Sequence, residues 1–252
     1  MNRIVLMYHD VYEHSVSESG FTGGSNDGYS ISKQVFESHV KAVSDYLSQK
    51  NKNNDFVCWT FDDGGVSFAT VIAPILEKYG FKGCFYVATK YIDTPGFVNS
   101  VQIKSLQKSG HLVGAHSHTH PARMQDLPDD TIKKEWSQSI EILSQIIGTK
   151  IQSVTIPGGN YSKKMGKILC SLGVTEVYTT YPTDSIKIIH DCKIMGRYTV
   201  KAGMSPEDVV SIISSPMKRF KMKVIKGILQ IFKNLLGRNY DVIKEFILTR
   251  GK

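Results

Sequence analysis

Thr60-Phe61-Asp62-Asp63-Gly64 follows the apolar run Phe56-Val57-Cys58-Trp59, and it places two neighbouring carboxylates where a buried strand should end. Acidic side chains rarely end a buried strand unless they are paired or bind a metal, because burial of an isolated charge is costly. A second unusual cluster, His116-Ser117-His118-Thr119-His120, comes further along the chain. Together the two clusters predict a metal site with a carboxylate beside it, and therefore a hydrolase.

Around this stretch the chain alternates short β-rich runs with longer helical segments. The predicted strands are 3–8, 56–61, 83–88, 112–115, 153–156, 176–180 and 194–200. Several of them are nearly continuous apolar stretches, which is typical of parallel strands covered on both faces. The predicted helices are 32–49, 66–79, 100–108, 129–147 and 162–172.

This order of elements predicts an α/β fold in which parallel strands form a distorted (β/α)7-type barrel within a single domain. An open doubly wound sheet is the alternative. In a parallel barrel the chemistry lies at the carboxyl ends of the strands. His9, Asp62, Asp63, His116 and Pro157 each fall at such an end, so we expect them to share one site.

The histidine cluster has the spacing of a metal site. A catalytic zinc-type site commonly uses three His or Asp/Glu ligands and leaves one position for water. His116 and His120 could bind one ion, and a carboxylate from a neighbouring strand end would complete the set. Because Asp62 and Asp63 are adjacent, they point in different directions on an extended strand. One would then bind the metal, and the other would act as a base on the metal's water.

These motifs resemble those of the polysaccharide deacetylases, carbohydrate esterase family 4, which share the NodB-homology domain. The stretch 60–64 matches the family's first motif without change, and 116–120 resembles the second. The resemblance covers about residues 3–215. It implies a distorted (β/α) barrel, a divalent metal and the hydrolysis of N-acetyl groups on sugars.

The resemblance also implies roles for individual residues. Asp62 would be the base, and Asp63, His116 and His120 would bind the metal. Zinc is the metal we expect first, but a set of one carboxylate and two histidines also suits cobalt, nickel or iron.

Thr155-Ile156-Pro157-Gly158-Gly159-Asn160-Tyr161 departs from the family's third motif, which often has Arg-x-Pro followed by an aromatic residue and Gly. Thr155 stands where the arginine that orients the base would be. We still expect Pro157 and Gly158 at the oxyanion position, since the Gly158 N–H could bind the tetrahedral oxyanion. A plain β–α turn is the alternative. Tyr161 is a candidate for lining the sugar site.

The family's usual late motif, an apolar strand that ends in a catalytic histidine, is missing, because 194–200 holds Arg197 and no histidine. The N-terminal Leu6-Met7-Tyr8-His9-Asp10 is similar to the permuted arrangement of poly-N-acetylglucosamine deacetylases. In those enzymes the general-acid histidine comes from the first strand. The resemblance implies that His9 protonates the leaving amine, whereas a core histidine with a satisfied hydrogen bond is the alternative.

The basic excess of the chain is concentrated at its C-terminus. Residues 217–252 contain ten Lys or Arg against two acidic residues, which accounts for the whole net charge of +8. We expect 1–215 to form the NodB-like domain and 216–252 a basic, partly amphipathic helical extension. Over 217–236 the apolar residues recur near helical spacing. This pattern fits either an interfacial helix at an anionic membrane or an ordinary helix packed on the barrel.

Composition limits the other partners and the compartment. We expect no nucleic acid, because the chain has no basic platform interleaved with aromatic residues. The N-terminal apolar run is too short for a secretory signal, and no stretch is long enough to span a bilayer. The four cysteines lack Cys-x-x-Cys spacing, and buried free thiols are expected. These features predict a cytoplasmic protein, with peripheral contact at the inner membrane face as an option.

The leading hypothesis is a metal-dependent carbohydrate N-deacetylase that acts on an amino sugar or a polysaccharide precursor. One alternative keeps the metal but hydrolyses a non-sugar C–N bond, in an amide or a cyclic amide. The other is a non-catalytic glycan-binding domain, which the retained base and ligands disfavour.

Overall fold

The computed structural model describes residues 3–23, 26–189 and 191–236. Its strands are β1 Ile4–Tyr8, β2 Val11–Tyr12, β3 Ile31–Ser32, β4 Val57–Phe61, β5 Gly83–Val87, β6 Leu112–Ala115, β7 Ser153–Thr155, β8 Glu176–Tyr178, β9 Lys187–Ile189, β10 Cys192–Met195 and β11 Tyr198–Thr199. Its α-helices are α1 Lys33–Gln49, α2 Ala73–Lys78, α3 Ser100–Lys108, α4 Asp129–Ile147, α5 Lys163–Ser171, α6 Pro206–Ser214 and α7 Pro216–Leu236.

One nine-stranded sheet carries the architecture, in the order β11-β1-β4-β5-β6-β7-β8-β10-β9. Neighbouring strands are parallel except for the antiparallel pair β9 and β10. From β1 to β8 the strands of this sheet follow one another in chain order, whereas a doubly wound sheet reverses its order at a switch point. The sheet is therefore a half-barrel with flanking helices, and the predicted (β/α) barrel type is confirmed.

Alternation along the strands divides the apolar side chains into two clusters. In β4, Trp59 and Phe61 belong to the main core, while Cys58 belongs to a small second cluster with Val5 and Tyr86. Because successive side chains of a strand point to opposite faces, the main core lies between sheet and helices. The small cluster lies on the concave face of the sheet.

The helices begin where the sequence offers a cap. The Ser32 side chain accepts a hydrogen bond from the backbone of α1, and Asn99 forms a capping box with Gln102 at the start of α3. Gly148 ends α4 in the left-handed conformation, with φ 75°. A capping box at Ser205 also starts α6, a helix that the sequence analysis did not predict.

The predicted strand 194–200 is wrong as a single element, because it breaks at Gly196 and Arg197. Its first part, β10, pairs with β8, whereas β11 pairs with β1 at the other end of the sheet order. A Cβ at Gly196 would collide with the Tyr181 carbonyl oxygen, so glycine permits the close backbone approach at this bend. The bend carries the chain from one end of the half-barrel to the other.

The expectation of free thiols holds for Cys58 and Cys84, whose sulfur atoms lie 3.8 Å apart. It is wrong for Cys170 and Cys192, which form a disulfide between α5 and β10 with their Cα atoms 5.9 Å apart. Disulfides are rare in reducing compartments, so the cysteines no longer support the cytoplasmic prediction.

The C-terminal extension is helical over α7, and 237–252 lie outside the described residues. Within the described ranges no helix combines the length and apolar character needed to cross a bilayer.

Candidate active site

The two carboxylates of the opening stretch follow β4 directly and are both buried. The Asp62 N–H donates to the Tyr8 carbonyl, and the Asp63 carbonyl accepts from the Ala88 N–H. Asp63 has φ 85° and Gly64 has φ 98°, so the chain turns in the left-handed region immediately after the strand. This turn occurs at Asp63 itself, so the predicted extended alternation does not continue through the pair.

Asp63 forms a compact group with the two predicted histidines. Its Oδ1 lies 3.3 Å from His116 Nε2 and 3.3 Å from His120 Nε2. One ligand atom from each of the three residues lies within 4.8 Å of the others. The three residues predicted from sequence as metal ligands are therefore brought together.

Thr155 orients the first of these histidines. His116 Nδ1 lies 2.8 Å from the Thr155 carbonyl oxygen and 2.5 Å from Thr155 Oγ1. A metal-binding histidine commonly donates its other ring N–H to a carbonyl, which fixes the tautomer and the ring orientation. Here that donation leaves Nε2 facing Asp63. The threonine at the position of the missing arginine thus orients a predicted metal ligand.

Glu135 of α4 holds the loop that carries the histidines. Its carboxylate accepts hydrogen bonds from the His118 and Thr119 N–H groups at 3.1 Å and 2.8 Å, and from Thr119 Oγ1 at 2.7 Å. Ser139, one turn further along α4, donates to the Ser117 carbonyl at 2.9 Å. Glu135 was not predicted from the sequence, because nothing in its spacing distinguishes it from other acidic residues of an amphipathic helix.

The middle histidine does not join the metal group. His118 Nδ1 lies 2.9 Å from Thr89 Oγ1, at the end of the neighbouring strand β5. Ser117 has φ 62° and His120 has φ 57°, both in the left-handed region. This strained backbone brings the side chains of the first and last histidines to one carboxylate.

Arg197 binds Asp62 with both ends of its guanidinium group. Arg197 Nη1 and Nη2 lie 2.7 Å from Asp62 Oδ1 and Oδ2, and Arg197 Nε donates to the Thr179 carbonyl at 3.2 Å. The arginine side chain is fully buried, at the bend between β10 and β11. It therefore orients the predicted base, a role for which the sequence indicated no residue. The feature of the sequence that could have revealed this role is a single arginine within an apolar, strand-like run.

Burial and charge act in opposite directions on these groups. Burial raises the pKa of Asp62, but the Arg197 and His116 charges outweigh it and hold the pKa below the usual value. Burial also raises the pKa of Asp63, while hydrogen bonds from His116 and His120 hold it well below that value. Both carboxylates are consequently anionic near neutral pH.

The remaining charge of the group fits a divalent cation. Arg197 neutralises Asp62, so Asp63 supplies one uncompensated negative charge beside two imidazoles. Burial lowers the pKa of His116, yet the Asp62 and Asp63 carboxylates raise it above the usual value on balance. A cation would compete with that proton for His116 Nε2. The donor set of one carboxylate and two histidines suits zinc and related metals.

His9 follows β1 and lies near the same charges. Its ring centroid is 4.6 Å from that of Tyr29, and within the described residues its buried Nδ1 has no hydrogen-bond partner. Burial lowers the pKa of His9, and the charges of Asp63 and Asp62 only partly reverse this effect. The alternative of a core histidine with a satisfied hydrogen bond does not describe Nδ1, which has no partner in the described part of the chain.

The segment after β7 places the other predicted residues. Pro157 is buried, and Gly158 has φ 65°, where a Cβ would lie 3.3 Å from the Ala122 carbonyl oxygen. Tyr161 packs against the main core, and its ring lies over Gly166 of α5. The roles of Pro157, Gly158 and Tyr161 toward an oxyanion or a sugar stay predictions.

An aromatic residue that the sequence analysis missed lies beside the metal group. The Phe21 ring centroid is 4.9 Å from that of His120, and it packs edge-on against Tyr91 at 4.7 Å and Phe97 at 5.1 Å. No periodicity indicates it, because Phe21 lies in a long connection between β2 and β3. It packs against His120, the most exposed of the three predicted ligands.

Asp10 anchors the connection that contains Phe21. Asp10 Oδ1 accepts hydrogen bonds from Ser19 Oγ at 2.6 Å and from Ser67 Oγ at 2.9 Å. Side chains at Gly20 or Gly65 would collide with this carboxylate. Burial raises the pKa of Asp10 to about 7, against the hydrogen bonds from Ser19 and Ser67.

Comparison with known proteins agrees with this geometry. Residues 49–177 match the family model described as polysaccharide deacetylase. The Bacillus subtilis (strain 168) protein YxkH is 23% identical over 192 residues, which cover 71% of this chain and 64% of YxkH. Chitin deacetylase 1 of Cryptococcus neoformans var. grubii is 21% identical over 196 residues, 76% of this chain and 39% of that protein. The chain thus spans less than two thirds of the length of these curated relatives.

Solved structures share the fold. The deacetylase PplD of Streptococcus pyogenes, in complex with acetate, superposes with a TM-score of 0.69 at 20% identity. The superposition covers 85% of this chain and 99% of PplD. At 20% identity, this likeness concerns the fold alone, that is, the half-barrel and its helices.

Proposed function

The chain belongs to the polysaccharide deacetylase family, and we propose that it is a metal-dependent hydrolase that removes N-acetyl groups from an amino sugar or a polysaccharide precursor. One observation carries this proposal. An anionic Asp62 that Arg197 orients lies beside a group of Asp63, His116 and His120 suited to a divalent cation. The products would be acetate and a free amine on the sugar.

Asp62 is the base in this proposal. Each of its oxygens accepts one hydrogen bond from Arg197, so a further lone pair on the carboxylate is available to take a proton from water. A divalent metal held by Asp63, His116 and His120, zinc in the first instance, supplies Lewis acidity toward the acetamide carbonyl and lowers the pKa of water to about 7.

His9 is the proposed acid that protonates the departing amine. Its buried Nδ1 makes no hydrogen bond within the described chain, and the ring as a whole is only partly buried, so the proposed role falls to the other ring nitrogen, Nε2. Burial lowers the pKa of His9, whereas the nearby charges of Asp63 and Asp62 favour a proton on this ring, as an acid requires.

The oxyanion and the sugar would meet the segment after β7. The Gly158 N–H is the proposed donor to the developing oxyanion, and the buried Pro157 fixes the entry to this turn. Tyr161 is the proposed aromatic contact to the sugar. Its packing against α5 supports this role less than the geometry supports Asp62.

The comparisons support the choice of substrate class. Chitin deacetylase 1 is named for an N-acetylated polysaccharide, and PplD was solved with acetate, the product that we propose here. The presence of the base and all three ligands disfavours a non-catalytic glycan-binding domain. The altered third motif keeps hydrolysis of a non-sugar C–N bond as the second candidate.

An acetate-release screen tests the proposal. The protein would be purified without chelator, loaded with zinc, and assayed on chitooligosaccharides and on nucleotide- and lipid-linked N-acetyl amino sugars. We expect acetate from at least one of these sugars, and its loss after treatment with a chelator. If no sugar releases acetate and a cyclic amide is hydrolysed, the second candidate is correct.

A further inference from the structure

Helix α7 is attached to the rest of the protein by one side. Met222 packs against the main hydrophobic core, and Arg219 donates a hydrogen bond to Asp184 at 2.9 Å. At 3.6 residues per turn, the side chains of these two residues leave the helix on the same half of its circumference. The other half faces away from the barrel.

That outward half carries a stripe of large apolar side chains. The stripe consists of Met217, Phe220, Val224, Ile228 and Ile231, which are spaced by three or four residues. Such spacing places them on one face of a helix, where globular proteins usually bury them. Here between 42% and 63% of each side chain is exposed.

The stripe is wide as well as long. Ile225, at its margin, is 57% exposed, and Leu229, on the side of Met222, is still 46% exposed. In the described part of the chain, half of the exposed large hydrophobic side chains belong to this one helix. An apolar surface of this size, concentrated on one element, indicates a binding surface rather than scattered exposure.

The charged side chains of α7 itself are all basic, and two of them, Lys218 and Arg219, pair with Asp208 and Asp184 on the attached side. The helix contains six lysines or arginines and no acidic residue. Lys221 and Lys223 are exposed next to the stripe. A surface that combines apolar insertion with positive charge matches the boundary of an anionic bilayer, where acyl chains cover the stripe and phosphate headgroups attract the lysines.

Other arrangements fit these features less well. A second copy of the chain, packed through the same stripe, would bring together two helices whose charged residues are all basic. Like charges repel at an interface. The helix is also too charged to cross a bilayer.

We propose that α7 binds the surface of a membrane that contains anionic phospholipids, with its apolar stripe in the boundary between headgroups and acyl chains. The inference rests on the exposure and charge of α7, and it is independent of the proposed deacetylase activity.

Vesicle flotation of the purified full chain tests this proposal. Vesicles that mix phosphatidylglycerol with phosphatidylcholine should carry the protein to the top of the gradient. Vesicles of phosphatidylcholine alone should bind it about tenfold more weakly or worse, because several lysines lose their anionic partners.

Two pairs of substitutions separate the stripe from general hydrophobicity. The double variant Phe220→Ser/Ile228→Ser should lose binding to the mixed vesicles. The matched control Val101→Ser/Ile188→Ser removes side chains that are 76% and 73% exposed elsewhere, and it should bind like the unmodified chain. Circular dichroism would verify that both double variants are folded.

Several outcomes would overturn the proposal. These are the absence of flotation with the mixed vesicles, equal binding to both kinds of vesicle, and unchanged binding by the stripe variant. A sedimentation measurement without lipid can also contradict it. If the chain is a dimer that Phe220→Ser/Ile228→Ser dissociates, a second copy covers the stripe. An Asp62→Asn variant should float normally, so failure of the enzymatic proposal would leave this one intact.

Discussion

Asp62 and Asp63 are neighbours in the chain and both are buried, yet their charges are balanced in different ways. Asp62 is bound at both oxygens by Arg197, a cation that keeps its charge at all accessible pH values. Asp63 faces His116 and His120, whose charge depends on protons or on a bound cation. One carboxylate has a fixed partner and the other has an exchangeable partner.

This difference explains how two identical side chains can hold different roles at the end of one strand. A fixed guanidinium keeps Asp62 anionic and holds its orientation through both carboxylate oxygens. An exchangeable environment leaves Asp63 able to bind an ion with the histidines. The left-handed turn at Asp63 separates the two environments.

The strongest test of the comparison exchanges each carboxylate for its amide. Asp62→Asn should lower kcat for acetate release by about 10³-fold, because a general base contributes roughly 10²–10⁴-fold, while the zinc content stays near that of the unmodified protein. Asp63→Asn should lose both zinc and activity. Activity assays and elemental analysis of both variants measure these effects.

The two variants act as controls for each other, because they change neighbouring residues in the same way. If Asp62→Asn lost its zinc, or if Asp63→Asn retained a full complement, the assignment of roles would have to be reversed.

The second test weakens the fixed partner without removing its charge. Arg197→Lys keeps a cation near Asp62 but cannot bind both oxygens in the same plane. We expect kcat to fall by about 10²-fold, since small misplacements of a catalytic group have effects of this size. The zinc content should not change, because Arg197 does not support the histidines.

Arg219→Lys is the matched control for this substitution, since Arg219 bonds Asp184 at the partly exposed base of α7. It should retain nearly full activity on a soluble substrate. A kcat for Arg197→Lys equal to that of the control would contradict the orienting role.

The smallest effect is expected for a substitution near Asp63, the carboxylate with the exchangeable partner. Glu135→Gln replaces the carboxylate that three loop donors share, so the histidine loop becomes less firmly held. The affinity for zinc should fall by about tenfold, the lower end of what outer partners of metal ligands contribute. At saturating zinc, kcat should recover, because Asp62 and Arg197 are untouched.

Competition titration with a zinc indicator measures this affinity. The matched control is Glu141→Gln, an exposed glutamate further along α4. An equal loss of zinc affinity in both variants would assign the effect to the helix as a whole rather than to the loop contact.

Much of the fold was predictable from local patterns. The bounds of α3, α4 and β6 are those predicted, since apolar periodicity and caps act within a few residues. The single strand predicted over 194–200 failed for a different reason. Its division depends on the distant strands β8 and β1 that its two parts pair with, and neither lies nearby in the sequence.

The residues of the candidate site also divide into those predictable from local patterns and those that depend on distant parts of the chain. His116 and His120 were predicted from their spacing, and the structure brings them to Asp63. Arg197, Glu135 and Phe21 were not predicted to act at this site, because each reaches it from a separate part of the chain.

The sequence by itself determined the donor groups of the candidate site, since adjacent carboxylates and clustered histidines are recognisable within a few residues. Only the tertiary structure decided which cation meets which carboxylate. Arg197 lies 135 positions from Asp62 in the chain, and their contact exists because β11 pairs with β1 and thereby brings the preceding bend back to the end of β4. Such a pairing is a property of strand order in the sheet, which no local pattern specifies.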